Sequence, residues 1–175
     1  CDGILDDDEC DAFGPTDEDQ DCDGSPVTED CDDADPSRYP GAPDPQNGED
    51  NNCDGVDGLL CEGDRTEATA TGCSRITGNL ELGDGSSAQL DTLQIVDGSI
   101  TGTPYSLVAR RLHTVGGNID FGYASELGTL TLGALTNVGG HVNITSAYWL
   151  DAALDQLQTV GGDVVLDDLG IHAVS

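Results

Sequence analysis

Leu112-His113-Thr114-Val115-Gly116-Gly117 returns as Leu135-Thr136-Asn137-Val138-Gly139-Gly140 and again as Leu157-Gln158-Thr159-Val160-Gly161-Gly162. An earlier copy, Leu93-Gln94-Ile95-Val96-Asp97-Gly98, keeps the frame, and a degenerate one ends Ile76-Thr77-Gly78. Self-similarity every ~20 residues marks a repeat architecture. Each phrase runs into a short alternating segment: residues 79–82, 99–101, 118–121, 141–144 and 163–166. Alternation puts Leu80 with Leu82, Ile119 with Phe121, Val142 with Ile144 and Val164 with Leu166 on one face. So short a unit cannot bury that face alone. Stacking one unit on the next builds a parallel sheet with apolar ladders inside the coil. The corner glycine serves where a β-carbon would clash or φ must be positive. The recurring phrase favours this solenoid over an ordinary β-sandwich.

Upstream of the repeat the grammar changes. Residues 1–64 carry 23 of the 35 acidic residues and one base, Arg38, in a chain of net charge −30 with five arginines and no lysine. Apolar periodicity is nearly absent there, so few regular elements are expected. Two like charges about 4 Å apart repel by roughly 4 kcal/mol at an effective dielectric near 20. Such a segment either stays solvated and disordered or folds around cations. The charge argues against nucleic acid or an anionic membrane surface as partner.

All seven cysteines (Cys1, Cys10, Cys22, Cys31, Cys53, Cys61 and Cys73) fall in the first 73 residues. In a core-poor segment they read as a disulfide framework formed in an oxidising compartment. Zinc is the rival reading, but cysteines paired two to four residues apart are missing. The odd cysteine is assigned to Cys1, as a lipid anchor, an intermolecular disulfide or a trimmed boundary. Six cysteines allow fifteen pairings. Cys31 with Cys53 is favoured because it closes the segment between two acidic clusters. The expected organisation is an acidic module over 1–64, a linker over 65–72 and the solenoid over 73–175. No apolar run is long enough to span a membrane, and without a visible signal peptide the chain reads as mature or trimmed.

Asp19-Gln20-Asp21-Cys22-Asp23-Gly24 fits the first half of an EF-hand-type loop. Calcium takes six to eight hard oxygens, which carboxylates at positions 1, 3 and 5, a carbonyl at 7 and an acid at 12 supply. Here these are Asp19, Asp21, Asp23, Ser25 and Asp30. No flanking helices are evident. Asp50-Asn51-Asn52-Cys53-Asp54-Gly55 repeats the phrase with ligands Asp50, Asn52 and Asp54, but its twelfth position is Cys61. It must close otherwise, through Asp57 or through Asp32, Asp33 and Asp35 drawn near by a Cys31–Cys53 bridge. Residues 6–11 are a weaker third cluster. Solvated acidic turns are the bland alternative. Magnesium demands a stricter octahedron. Copper lacks soft or imidazole donors, since the acidic half has no His and the chain no Met.

Catalytic patterns are missing: the three histidines, His113, His141 and His172, form no His-Glu-x-x-His, and no nucleophile elbow or phosphate loop appears. Glycosidase chemistry needs carboxylates across a groove, whereas Asp120, Asp163, Asp167 and Asp168 are scattered. No enzyme activity is expected. Arg110-Arg111 is expected to pair with acids of a neighbouring rung or molecule. Tyr148 and Trp149 are read as a core cap or contact patch, and the Asn143-Ile144-Thr145 triplet as a chance match to a glycosylation signal.

Cys73-Ser74-Arg75-Ile76-Thr77-Gly78-Asn79-Leu80-Glu81-Leu82, with the later repeat, resembles the opening of a receptor L domain, the family of growth-factor and insulin receptor ligand-binding domains. The resemblance spans 73–175 and implies a right-handed β-helix of leucine-rich-repeat character that binds proteins or acts as a spacer. Such domains carry more turns than the five units here, implying an exposed final edge near residues 163–166. Asp30-Cys31-Asp32-Asp33-Ala34-Asp35-Pro36, Tyr39-Pro40-Gly41-Ala42-Pro43 and Asp50-Asn51-Asn52-Cys53-Asp54-Gly55 resemble acidic Asp/Cys repeats of bacterial surface proteins, including the type named after a methanotroph copper-binding protein, and thrombospondin type 3 calcium repeats. Where many copies have a cysteine before the second cluster, Gln46 and Asn47 stand here, implying one crosslink fewer.

The combined expectation is a mainly β extracellular or cell-surface protein: a disulfide- and calcium-stabilised module followed by the solenoid. Its function is expected to be adhesion to a protein or glycan, or, as the alternative, self-assembly into a calcium-dependent filament or surface layer.

Overall fold

The computed structural model describes residues 19–122, 127–145 and 151–167. The expectations placed on Cys1, Cys10, residues 6–11, Tyr148, Trp149, Asp168 and His172 lie outside them. The chain divides into two compact units, Cys1–Asp57 and Gly58–Ser175. The described residues are mainly β and contain no helix, so none is long and apolar enough to cross a membrane.

The second unit is a β-solenoid. A partial first rung holds β1 (Leu59–Cys61) and β2 (Arg65–Thr66). Four complete three-stranded rungs follow: β3 (Cys73–Ile76), β4 (Leu80–Leu82) and β5 (Ser87–Gln89); β6 (Ile95–Val96), β7 (Ile100–Gly102) and β8 (Ser106–Val108); β9 (Thr114–Val115), β10 (Ile119–Phe121) and β11 (Thr129–Thr131); β12 (Asn137–Val138), β13 (Val142–Thr145) and β14 (Asp151–Ala153). A partial last rung holds β15 (Thr159–Val160) and β16 (Val164–Asp167). Equivalent strands form three sheets, ordered β1-β3-β6-β9-β12-β15, β16-β13-β10-β7-β4-β2 and β14-β11-β8-β5. Every inter-rung pairing described is parallel.

Register turns the repeat into ladders. Ile76, Val96, Val115, Val138 and Val160 align in the first sheet. Leu80, Ile100, Ile119, Val142 and Val164 align in the second. Leu93, Leu112 and Leu135 are fully buried behind them. Burying one such side chain contributes about 1.5–3 kcal/mol. The corner glycines answer a steric demand: a β-carbon on Gly116 would collide with the Asp97 carbonyl, and one on Gly139 with the Gly116 carbonyl. Beside the corner runs a polar ladder. Asp64 Oδ1 accepts the Asn79 N–H (2.7 Å), Asn79 Oδ1 that of Ser99 (2.8 Å), Ser99 Oγ that of Asn118 (2.9 Å) and Asn118 Oδ1 that of His141 (3.0 Å). These bonds satisfy backbone donors where each rung turns. Arg110 pairs with Asp91 at 2.7 Å and Arg75 with Asp97 at 3.1 Å.

Two features differ from the sequence reading. Each complete rung has three strands rather than one. The third sheet's short strands lack an apolar phrase because a single central residue, such as Leu107 or Leu130, faces the core. The solenoid also begins before Cys73: β1 and β2 pair with β3 and β4, so residues 58–72 belong to it rather than to a module ending at 64 and a linker. The Cys61–Cys73 disulfide ties β1 to β3. The far end keeps to the expectation of an exposed edge near residues 163–166: Val164 and Leu166 occupy inward ladder positions yet are about half exposed, with no described rung beyond β16.

Candidate metal centre

Residues 19–57 contain no regular strand and bury just two apolar side chains among the described residues, Ala42 and Val56. Their backbone is organised by carboxylates instead. In the first loop Asp19 Oδ1 accepts the Cys22 N–H at 2.7 Å and Oδ2 the Gly24 N–H at 3.0 Å. Asp21 Oδ1 accepts from Asp23 N–H (3.3 Å), and Asp23 Oδ1 from Ser25 N–H (2.8 Å). Successive Asx turns curl the chain so that the acidic side chains converge. Cys22 at φ 64° and Gly24 at φ 97° take the left-handed conformations the curl needs. Gly24 has open space where a β-carbon would stand, so backbone conformation alone demands glycine there.

The carboxylate oxygens of Asp19, Asp21 and Asp23 lie within 4.8 Å of one another. The Glu29 and Asp30 N–H groups both bond to the Pro26 carbonyl, a turn that returns Asp30 towards the loop. Asp33 joins from outside it, its Oδ1 accepting the Gln20 N–H at 3.1 Å. After these bonds, one oxygen on each of Asp21, Asp23, Asp30 and Asp33 is buried without a hydrogen-bond partner. Four such oxygens would be costly in a metal-free fold; they are the oxygens a hard cation takes. The Asp21 carboxyl is pushed above its ordinary 3.8, first by burial and then by the charges of Asp23, Asp30 and Asp19, against the lowering effect of its bond to the Asp23 N–H.

The second loop repeats the construction. Asp50 Oδ1 accepts the Asp54 N–H (3.2 Å) and Oδ2 the Gly55 N–H (2.8 Å), while Asp54 Oδ1 accepts the Val56 N–H (3.1 Å). Asn52 Oδ1 also accepts from Asp54 N–H (3.1 Å), and its amide donates to Asp54 Oδ2 at 3.1 Å. Cys53 at φ 59° and Gly55 at φ 92° reproduce the left-handed pair of the first loop.

Closure of this loop differs from expectation. Its third clustered carboxylate is Asp44, within 4.8 Å of Asp50 and Asp54 and bonded to the Asn51 N–H at 3.0 Å. Asp57 instead holds the Asn47 N–H. Asp32 pairs with Arg38 at 3.0 Å, and Asp35 caps Ser37 through both its N–H and hydroxyl. That hydroxyl bond is the main reason the Asp35 carboxyl sits below its ordinary value. Asp33 serves the first loop. Asp44 escaped sequence reading because it lies outside either six-residue phrase, though it directly follows Pro43.

The Cys31–Cys53 disulfide forms as expected, and Cys22 is also disulfide-bonded. Asp30, Cys31 and Cys53 cluster within 4.8 Å, but the oxidised sulfurs are not thiolate ligands. The same reasoning removes zinc held by the described cysteines.

Residues 14–26 and 30–57 match the family model Cu-binding MopE, described as a metal-binding motif. The match covers the acidic unit, including both clusters, and not the solenoid. Neither the curated proteins nor the solved structures contain a match to the chain.

Proposed function

We propose that the protein is an extracellular calcium-binding surface protein whose acidic unit is ordered by calcium and whose solenoid is an adhesive, protein- or glycan-binding face. The observation that carries the metal reading is the set of four buried, unpaired carboxylate oxygens on Asp21, Asp23, Asp30 and Asp33. The donors in both loops are carboxylate and amide oxygens, which suit calcium. Copper, present in the matched family's name, prefers imidazole or sulfur. The described disulfides support an oxidising, extracellular setting. The rung phrases and Cys73 support a receptor L domain-like solenoid. We read the chain as non-enzymatic: His113 Nδ1 is 3.0 Å from the Thr114 hydroxyl, and Asp120 bonds to the Asn143 amide, neither forming an acid–base pair across a groove. For adhesion, the outer face of the second sheet offers a polar groove lined by Asp64, Arg65, Asn79, Glu81, Ser99 and Thr101.

A second reading is supported by the exposed Val164, Val165 and Leu166 on β16: the chain could be a structural subunit that stacks into a filament or layer.

Calorimetric titration of the metal-stripped chain tests the metal reading. Saturable calcium binding is expected, weakened about tenfold or more by Asp21→Asn with Asp23→Asn. Absence of binding at millimolar calcium, or preference for copper over calcium, contradicts it. Light scattering during the titration separates a monomeric adhesive module from an assembling subunit.

A further inference from the structure

We propose that the Cys31–Cys53 disulfide is a redox latch coupling the two cation loops, so that its reduction loosens both and cation binding protects it from reduction. This rests on the cation reading above. Cys31 directly follows Asp30, the closing residue of the first loop, while Cys53 is the left-handed fourth position of the second, flanked by Asn52 and Asp54. One bond with a Cα–Cα separation of 5.6 Å therefore joins the end of one loop to the centre of the other. An Asp30 carboxylate oxygen lies within 4.8 Å of both sulfurs, and Asp30 Oδ2 is one of the buried unpaired oxygens of the first centre. Cys31 N–H donates to Cys53 Sγ at 3.2 Å, and Cys31 Sγ, which has no hydrogen to donate, touches the Asp50 carbonyl at 3.6 Å. Asp50 is the first residue of the second loop.

Cys31 is exposed, whereas Cys61 and Cys73 of the other described disulfide are buried. A dithiol in solution can approach the bond from the exposed Cys31 side. Its thiolate attacks Cys31 Sγ and forms a mixed disulfide as the Cys53 thiolate leaves and takes a proton. The second thiol of the reductant then displaces Cys31 as a thiol, closing the reductant's own disulfide. Two electrons pass from the dithiol to the protein. The 22-residue closure is lost, and with it the placement of Asp30 and of the Cys53 corner. Linkage makes the effect reciprocal: the factor by which reduction lowers cation affinity is the factor by which the cation shifts the thiol–disulfide equilibrium.

The test uses the full chain and calcium ions as probe. Calcium affinity is measured with the disulfides intact and for the paired substitution Cys31→Ser with Cys53→Ser. In parallel, the wild-type chain is equilibrated with a graded dithiol buffer with and without calcium, and Cys31 and Cys53 thiols are counted by alkylation and peptide mass. The latch predicts weakening of about tenfold or more in each loop and, at saturating calcium, a shift of the thiol–disulfide equilibrium equal to the product of the two factors, about a hundredfold or more. The equilibrium in the wild-type chain covers the case in which the serine variant misfolds. If the intact chain binds calcium but affinity and midpoint are indifferent to the partner, the latch is overturned alone. If the intact chain binds no calcium, the cation reading falls first and the latch with it.

Discussion

The two units solve the same problem, satisfying a backbone and overcoming chain entropy, with opposite materials. Of the buried apolar side chains described, all but Ala42 and Val56 lie in the solenoid. There, neighbouring rungs satisfy each other's backbone and stack Val, Ile and Leu into ladders. In residues 19–57 side-chain carboxylates take the backbone donors, and a disulfide stands in for a core. The lesson is one of dependence: the solenoid carries its stabilising contacts in its own sequence, while the acidic unit buries four carboxylate oxygens that no described group pairs.

The sharpest way to break this contrast is to damage one unit and watch the other. Phe121 is completely buried in the solenoid core. Phe121→Ala should cost about 3–5 kcal/mol of solenoid stability, read by thermal or denaturant unfolding, while calcium affinity of the acidic unit stays unchanged. Loss of calcium binding in that variant would mean the units are not independent.

A smaller effect lies in pH. The Asp21 carboxyl is raised in the folded, metal-free state, so its protonated form favours folding. That contribution is fully present below the ordinary value of 3.8 and fades as pH rises through the raised value. Asp35 has the opposite sign: its contribution is present above 3.8 and lost as pH falls through its lowered value. In chelator, Asp21→Asn should flatten the pH dependence of acidic-unit order between neutral pH and pH ~4, followed by NMR. With calcium present, affinity should fall over the same window because the ligand must be ionised.

How far the sequence carried the structure follows this divide. The phrase from Leu112 to Gly117 and its copies fixed the rungs because a buried ladder requires the same residue type at each level. Leu80, Leu82, Ile119, Phe121, Val142 and Ile144 all point inward as alternation requires. Val164 and Leu166 keep the pattern without the burial, since pattern cannot tell whether a neighbour lies beyond. β1 and β2 were hidden because Gly58 and Cys61 stand where the later phrases have Leu and Val, in an acidic, cysteine-rich context, although Gly63 keeps the corner. In the acidic unit the clustering of Asp19, Asp21 and Asp23 was legible from local spacing. Asp44 was not, and Asp33 was expected at the second loop rather than the first, because both reach their loops through tertiary hydrogen bonds, to Asn51 and Gln20.

Hydrogen exchange of the intact chain, resolved by peptide with calcium and with chelator under non-reducing conditions, tests the central claim most directly. The account predicts that chelation strips protection from residues 19–57 and leaves the strands from β3 to β13 protected. Equal protection of residues 19–57 in both conditions would contradict it and leave disulfides and hydrogen bonds as the whole basis of order in the acidic unit.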